Sequence, residues 1–240
     1  MKRTPTVHER GYELNGILVL VGGGEFEPEM KYVDRVLLDN VIGTPRVAIL
    51  PTAAGQEPDR ALRLAETGAA YFRELGVESD AIPVVDRDSA MDEDLVARIE
   101  AANVIYLTDG DARYLYKTLQ FSAAWVAIGN VIELNGVIAA SGGAASVFGD
   151  RIPASPLPWG AAFNILPGAV IVPQYASASS LKLRLRRWTR FGRFTYLGID
   201  RHTALFNEKF RFNVVGEGGV TVWSRRRHEK REDGDPLMWP

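Results

Sequence analysis

The chain has 240 residues, 46% of them hydrophobic and 24% charged, with a formal charge of −2 at neutral pH. That balance suits one large globular domain and gives no general attraction for nucleic acid or anionic membrane. With no cysteine and only three histidines, disulfides, thiolate nucleophiles and zinc–thiolate sites are excluded, and neither metal nor cofactor is expected.

The first residues, "MKRTPTVHERGYELNG", are charged and lack an apolar core of signal-peptide length, so 1–15 read as an arm. No stretch reaches the length of a membrane span, and a cytoplasmic location is expected. Short apolar runs then alternate with amphipathic stretches. Strands are predicted over 16–23, 46–54, 81–85, 103–108 and 136–141, and helices over 28–39, 58–75, 92–101, 111–119 and 122–134. Such alternation predicts an α/β fold: a three-layer sandwich around a mainly parallel central sheet, with right-handed crossovers. Beyond Ser141 the pattern changes. A proline-rich loop (150–162), a strand within 164–175 and a basic helix (177–190) precede strands at 196–200, 203–207, 210–219 and 220–224, the later ones antiparallel. Residues 225–240 read as a charged tail, leaving 1–224 as a single domain.

Ligands of open parallel sheets sit at the carboxyl ends of the strands. Four such ends are rich in glycine, small residues and carboxylates: "GGGEFE" (22–27), "PTAAG" (51–55), "TDGD" (108–111) and "SGGA" (141–144). Gly23, Gly24, Glu25, Asp109 and Asp111 are the residues expected to line a ligand there, although βα turns need glycine in any case. The first turn fits neither dinucleotide nor P-loop spacing, and Glu27 and Glu29 suit a helix N-terminus. Ser141 stands where an apolar strand meets small residues, with Ala139 and Gly143 two positions to either side, as a nucleophile elbow requires. The N–H of Gly142, with that of Gly110, would hold a developing oxyanion. Ordinary packing explains small residues at a strand–helix bend equally well.

Together, "GGGE", "PTAA", "LTDGDARYL", "AASGGAA" and "LGIDRHTAL" resemble, in matching order over residues 16–207, the cyanophycinase and dipeptidase E family of serine peptidases. The resemblance implies a class I glutamine amidotransferase-like fold, with Ser141 at the nucleophile position and the "TDGD" turn at a threonine-glycine-glycine-aspartate segment that supplies an oxyanion donor. It also exposes departures. Tyr175 falls on the family histidine, Arg201 on its acidic partner, and Ala112 on a glutamine of the turn. No histidine occurs between residues 9 and 201.

A serine hydroxyl without a positioned base is a poor nucleophile. Tyrosine is a feeble base at neutral pH and arginine accepts no proton. Substitutes are His202, expected to point away from Arg201 if both lie on a strand, His8 from the arm, or Lys117 or Lys182. In the basic helix, Leu181, Leu185 and Trp188 form a buried stripe, and Lys182, Arg186 and Arg190 a basic face. Two readings result. One is a catalytically lapsed relative that keeps a pocket for a small peptide or amino-acid-like ligand. The other is an active serine hydrolase cleaving a peptide or amide bond through Ser141 and a base outside the family pattern. Self-association stays open in both; nucleic acid and membrane partners are expected in neither.

Overall fold

The computed structural model describes residues 14–153, 160–177, 194–208, 211–224 and 228–238. Alternation along the apolar runs sets the architecture. Leu18, Leu20, Ala48, Leu50, Ile105, Leu107, Ile138 and Ala140 enter one core cluster. Val19, Val21, Val47, Ile49, Val104, Tyr106, Val137 and Ala139 enter another. Successive side chains on a strand face opposite ways, so strands apolar at every position must be covered on both faces.

In chain order the strands are β1 (Ile17–Val21), β2 (Arg46–Leu50), β3 (Glu78–Ala81), β4 (Val104–Leu107), β5 (Val137–Ser141), β6 (Arg151–Ile152), β7 (Gly160–Ala161), β8 (Ala169–Val172), β9 (Thr195–Ile199), β10 (Thr203–Glu208), β11 (Arg211–Gly216), β12 (Gly219–Trp223), β13 (His228–Glu232) and β14 (Pro236–Met238). The α-helices are α1 (Lys31–Asp39), α2 (Pro58–Glu74), α3 (Glu93–Glu100), α4 (Ala112–Leu119), α5 (Ala123–Glu133) and α6 (Gly143–Ser146). An eight-stranded sheet runs β14-β11-β10-β1-β5-β4-β2-β3, and a smaller one β13-β12-β9-β8. From β1 to β3 the large sheet is parallel, while β10, β11 and β14 extend it antiparallel. Helices α1 and α2 cover one face with Val33, Leu37, Ala65, Ala69 and Phe72. The other face receives Ile99, Leu115, Leu119 and Ile128 of α3, α4 and α5, together with Leu197, Ile199, Val220 and Val222 of the smaller sheet. This is the mixed α/β architecture read from the sequence, a large and mainly parallel sheet flanked by helices.

Two expectations shift. The strand foreseen at 81–85 lies at Glu78–Ala81, a polar edge strand paired only with β2. The Ile82 N–H still donates to the Ile49 carbonyl (2.9 Å), but Pro83 has no N–H and the ladder stops. Buried Ile82 and Val84 had supplied the apolar signal. The segment foreseen as a charged tail contains β13 and β14. β13 alternates exposed and half-buried positions against β12, with Arg231 paired to Glu229 at 3.0 Å. An outer strand can carry charge on its open face, and charge there discourages edge pairing. The basic helix with Lys182, and His8 of the arm, lie outside the described residues. Among the described residues no helix is long and apolar enough to cross a membrane.

Phe72 is fully buried and rings with Phe26 (6.2 Å), Tyr71 (5.4 Å) and Tyr106 (5.7 Å). Phe72→Ala should therefore cost about 3–5 kcal/mol, read as a lower urea midpoint with an unchanged slope.

Candidate functional site

The central strands β1, β5 and β4 are neighbours and parallel, so their carboxyl ends meet on one rim. Close backbone packing draws the loops together there. A Cβ on Gly110 would overlap the Ala53 carbonyl, and one on Gly143 the Gly110 carbonyl. The Asp111 N–H donates to the Ala53 carbonyl at 2.8 Å. Glycines are required at these approaches because any side chain would hold the loops apart.

The bend itself falls one residue later than expected. Ser141 is the last residue of β5, in register with Val21 and fully buried. Gly142 makes the turn, with φ 54° and ψ −126°, and α6 begins at Gly143. A side chain at this φ is strained, which is why a glycine stands here. The expected oxyanion role of the Gly142 N–H fails, because that N–H donates to the Val21 carbonyl at 3.0 Å and continues the strand pairing.

Two other N–H groups converge instead. Gly143 and Gly110 both donate to Asp109 Oδ1, at 2.6 and 2.7 Å. A Cβ on Gly142 would overlap that oxygen and stand 2.6 Å from Asp109 Oδ2. Asp109 thus fills the space that a side chain at the bend would claim. The second oxygen, Oδ2, receives a long contact from Gln174 Nε2 at 3.4 Å.

Ser141 does have a proton acceptor, contrary to expectation: its hydroxyl donates to Glu25 Oε2 at 2.7 Å. The other oxygen of Glu25 accepts the Asp109 N–H at 2.9 Å. Glu25 therefore ties the end of β5 to the loop after β4.

The remaining candidates have contacts of their own. The Tyr175 ring lies on Gly198, where a Cβ would overlap it, and edge-on to Trp223 at 5.3 Å. Arg201 and His202 do not diverge. They occupy a turn, and His202 has φ 54°, so strand alternation does not govern them. His202 Nε2 meets Glu27 Oε2 at 2.7 Å, and Arg201 pairs with Glu27 Oε1. The His202 hydrogen bond, helped by the Arg201 charge, holds the Glu27 carboxyl below its usual range. Gly24 leaves room for the His202 ring, and the Gly23 carbonyl accepts the His202 N–H at 3.0 Å. Asp111 caps α4 by accepting the Tyr114 N–H at 2.8 Å, and Lys117 is exposed on that helix. Ligating atoms of Glu27, Glu29 and His202 lie within 4.8 Å of one another, as metal ligands would, but Glu27 is already engaged by Arg201 and His202.

Gly143 and Gln174 were not foreseen. The paired glycines after Ser141 were the available signal for the first, since glycine is the residue that permits close backbone approach, here to the Gly110 carbonyl.

A strand-to-helix bend at the centre of a parallel sheet, with N–H donors beside it, is the layout from which many hydrolases attack acyl carbon. The chain belongs to peptidase family S51, whose model matches residues 18–215. It is 23% identical over 220 residues to cyanophycinases of Synechococcus elongatus and Thermosynechococcus vestitus, covering 86% of this chain and 67% of each relative. The crystal structure of a peptidase from an acI-B1 Actinobacterium superposes with a TM-score of 0.84 at 24% identity, covering 95% of this chain and 99% of that one. A putative peptidase E protein from Listeria monocytogenes EGD-e gives 0.60 at 16% identity, covering 85% and 99%.

Gly142→Ala should lose about 1–3 kcal/mol through backbone strain and the collision with Asp109. In an Asp109→Gly background the loss should shrink by at least about 0.5 kcal/mol. Urea unfolding of the four proteins in this cycle measures both.

Proposed function

We propose that this peptidase family S51 protein has lost serine-peptidase turnover and keeps its strand-end rim as a binding site for a small peptide or amino-acid-like ligand. One observation carries the reading: Asp109 Oδ1 occupies both N–H donors beside a bend whose residue, Gly142, has no side chain. In an elbow of this kind the nucleophile sits at the turn, and the next residue's N–H helps to hold the oxyanion. On that layout Gly142 stands at the attacking position and Gly143 and Gly110 are the oxyanion donors. A carbonyl oxygen entering the cradle would meet a carboxylate instead of two free N–H groups. Stabilisation of the developing charge would be replaced by repulsion.

Among the described residues the expected bases have other contacts: the Tyr175 ring packs on Gly198, and His202 is bound to Glu27. With no alcohol at the turn and the cradle already filled, acyl transfer lacks a nucleophile at the attacking position and stabilisation of the developing charge.

A second reading is favoured by the contact between Ser141 and Glu25. Here Glu25 would accept the Ser141 proton as the hydroxyl attacks a peptide or amide carbon. Against it, Ser141 has no exposed surface and sits within the strand register. A substrate carbon would have to enter the sheet to reach it. The Ser141–Glu25 contact is better explained as a brace that fixes the Glu25 carboxylate and, through it, the Asp109 backbone.

The cytoplasmic location expected from the sequence belongs to this same proposal. Two measurements test the function. A fluorophosphonate probe should leave the protein unlabelled, whereas stoichiometric labelling that Ser141→Ala abolishes would establish the hydrolase. A dipeptide panel, followed by thermal unfolding and mass spectrometry, should yield a compound that raises Tm and is recovered intact. Saturation a hundredfold above Kd corresponds to about 2.7 kcal/mol. A panel with no stabilising member would remove the binding half of the proposal, and recovery of cleaved product would remove the other half.

A further inference from the structure

Away from the rim, the outer face of α5 breaks the pattern by which surface helices carry charge towards water. The helix reads AAWVAIGNVIE, with Glu133 its one charged residue. Its outward positions hold Val126, 61% exposed, and Asn130, while Leu134 just beyond its end is 81% exposed. Gly129 between them faces open space, since a Cβ there would meet nothing within 4 Å. Alanine is the better helix former at such a position, so nothing within the chain calls for the glycine. A bare helix surface of this kind lets a second backbone come close.

A knob and a socket flank this face. At the start of α5, Phe121 is 88% exposed and sits in the left-handed region at φ 58°, an unusual place for a bulky side chain. Its backbone is fixed from both sides. The Arg87 guanidinium donates to the Thr118, Gln120 and Phe121 carbonyls at 3.1, 2.6 and 2.8 Å, and Ser122 caps α5 by accepting the Trp125 N–H at 3.0 Å. At the far end of α5, by the amino ends of β2, β4 and β5, lies a cavity of about 540 Å³. The apolar Ala102, Val131 and Leu134 and the charged Arg46, Glu100 and Glu133 are among the residues that line it.

We propose that this face is the interface of a two-fold homodimer, in which α5 packs antiparallel on α5 of a second copy and each Phe121 enters the other copy's cavity. An axis at Val126 sets that residue against itself, Ala123 against Gly129, and Phe121 at the level of Val131 in the cavity wall. The small pair Ala123 and Gly129 lets the helix axes approach to about 8 Å. Such a contact is self-complementary, as two-fold symmetry demands, because one end of α5 carries the knob and the other the socket. Charge agrees with shape: Arg87 travels with the ring, and in the cavity Glu100 and Glu133 outnumber Arg46, whose Nε is engaged by the Ala101 carbonyl at 2.7 Å. Two aromatic rings of roughly 150–250 Å² each, with the facing α5 surfaces, bring the buried area to about the 1,000 Å² that a specific interface needs. The rim lies at the other end of the strands, so the dimer holds whether the rim catalyses or only binds.

Sedimentation of the full chain across concentrations reads the assembly, and a monomer–dimer equilibrium with Kd on the order of micromolar is expected. Phe121→Asp removes two contacts per dimer and should raise Kd at least about 100-fold while the circular dichroism spectrum stays unchanged. Gly129→Leu meets open space in the single chain and should raise Kd as much, by holding the helices apart. The chain has no cysteine, so Val126→Cys supplies a unique thiol on the axis, and mild oxidation should join two copies through it. Tyr32→Cys, exposed on α1 across the sheet, should not crosslink. A chain that is monomeric at every concentration, whether because residues 1–13 or an unrelated protein takes the cavity, overturns the proposal. So does a dimer that both Phe121→Asp and Gly129→Leu leave intact, or one that crosslinks through Tyr32→Cys instead of Val126→Cys.

Discussion

One carboxylate oxygen receiving two backbone N–H groups organises the rim of this molecule. Asp109 Oδ1 lies 2.6 Å from the Gly143 nitrogen and 2.7 Å from the Gly110 nitrogen. Hydrogen bonds to an ionised acceptor are short and strong compared with neutral ones. The arrangement satisfies two N–H groups that would otherwise face the site, and it does so with a group the chain itself supplies. It also depends on Gly142, because a side chain at the bend would occupy the same volume. Asp109 and Gly142 form a single physical unit: one fills what the other leaves empty.

The fold delivers this unit through strand order. β5 lies between β1 and β4, so the bend after β5 is flanked by the loops that carry Glu25 and Asp109. Glu25 bridges the two, taking the Ser141 hydroxyl on one oxygen and the Asp109 N–H on the other. The apolar runs that bury both faces of the sheet therefore fix the rim indirectly, by fixing register. Ser141 aligned with Val21, and Ala140 with both Leu20 and Leu107, leave the loops little freedom in where they emerge. The match to peptidase family S51, over residues 18–215, spans this framework and all three strand ends.

Much of the framework was legible in the sequence, because strands buried on both faces must be apolar at successive positions. β1, β2, β4 and β5 carried that signal plainly, whereas β3 did not, being a polar edge strand whose apolar neighbours Ile82 and Val84 lie beyond it. The charged β13 was hidden for a similar reason: its ladder to β12 is made by backbone groups that leave no mark on side-chain pattern. At the site, residue types pointed to the correct loops but not to the correct atoms. The hydroxyl of Ser141 drew the expected bend one residue too early, while the backbone turn belongs to Gly142. "TDGD" carries only half of what aims the Asp109 side chain, because the Gly110 N–H is its own and the Gly143 N–H belongs to the turn after β5. Arg201 and His202 were separated in expectation by strand alternation, and a left-handed His202 in a turn brings both onto Glu27.

Amide proton and nitrogen resonances of Gly110 and Gly143, compared between the wild type and Asp109→Ala, test the central interaction most directly. If one carboxylate oxygen holds both groups, the two amide protons should be shifted downfield in the wild type. Removing that oxygen should move them upfield together and speed their exchange with solvent. Unchanged resonances for either amide, or a shift confined to one of them, would contradict the account.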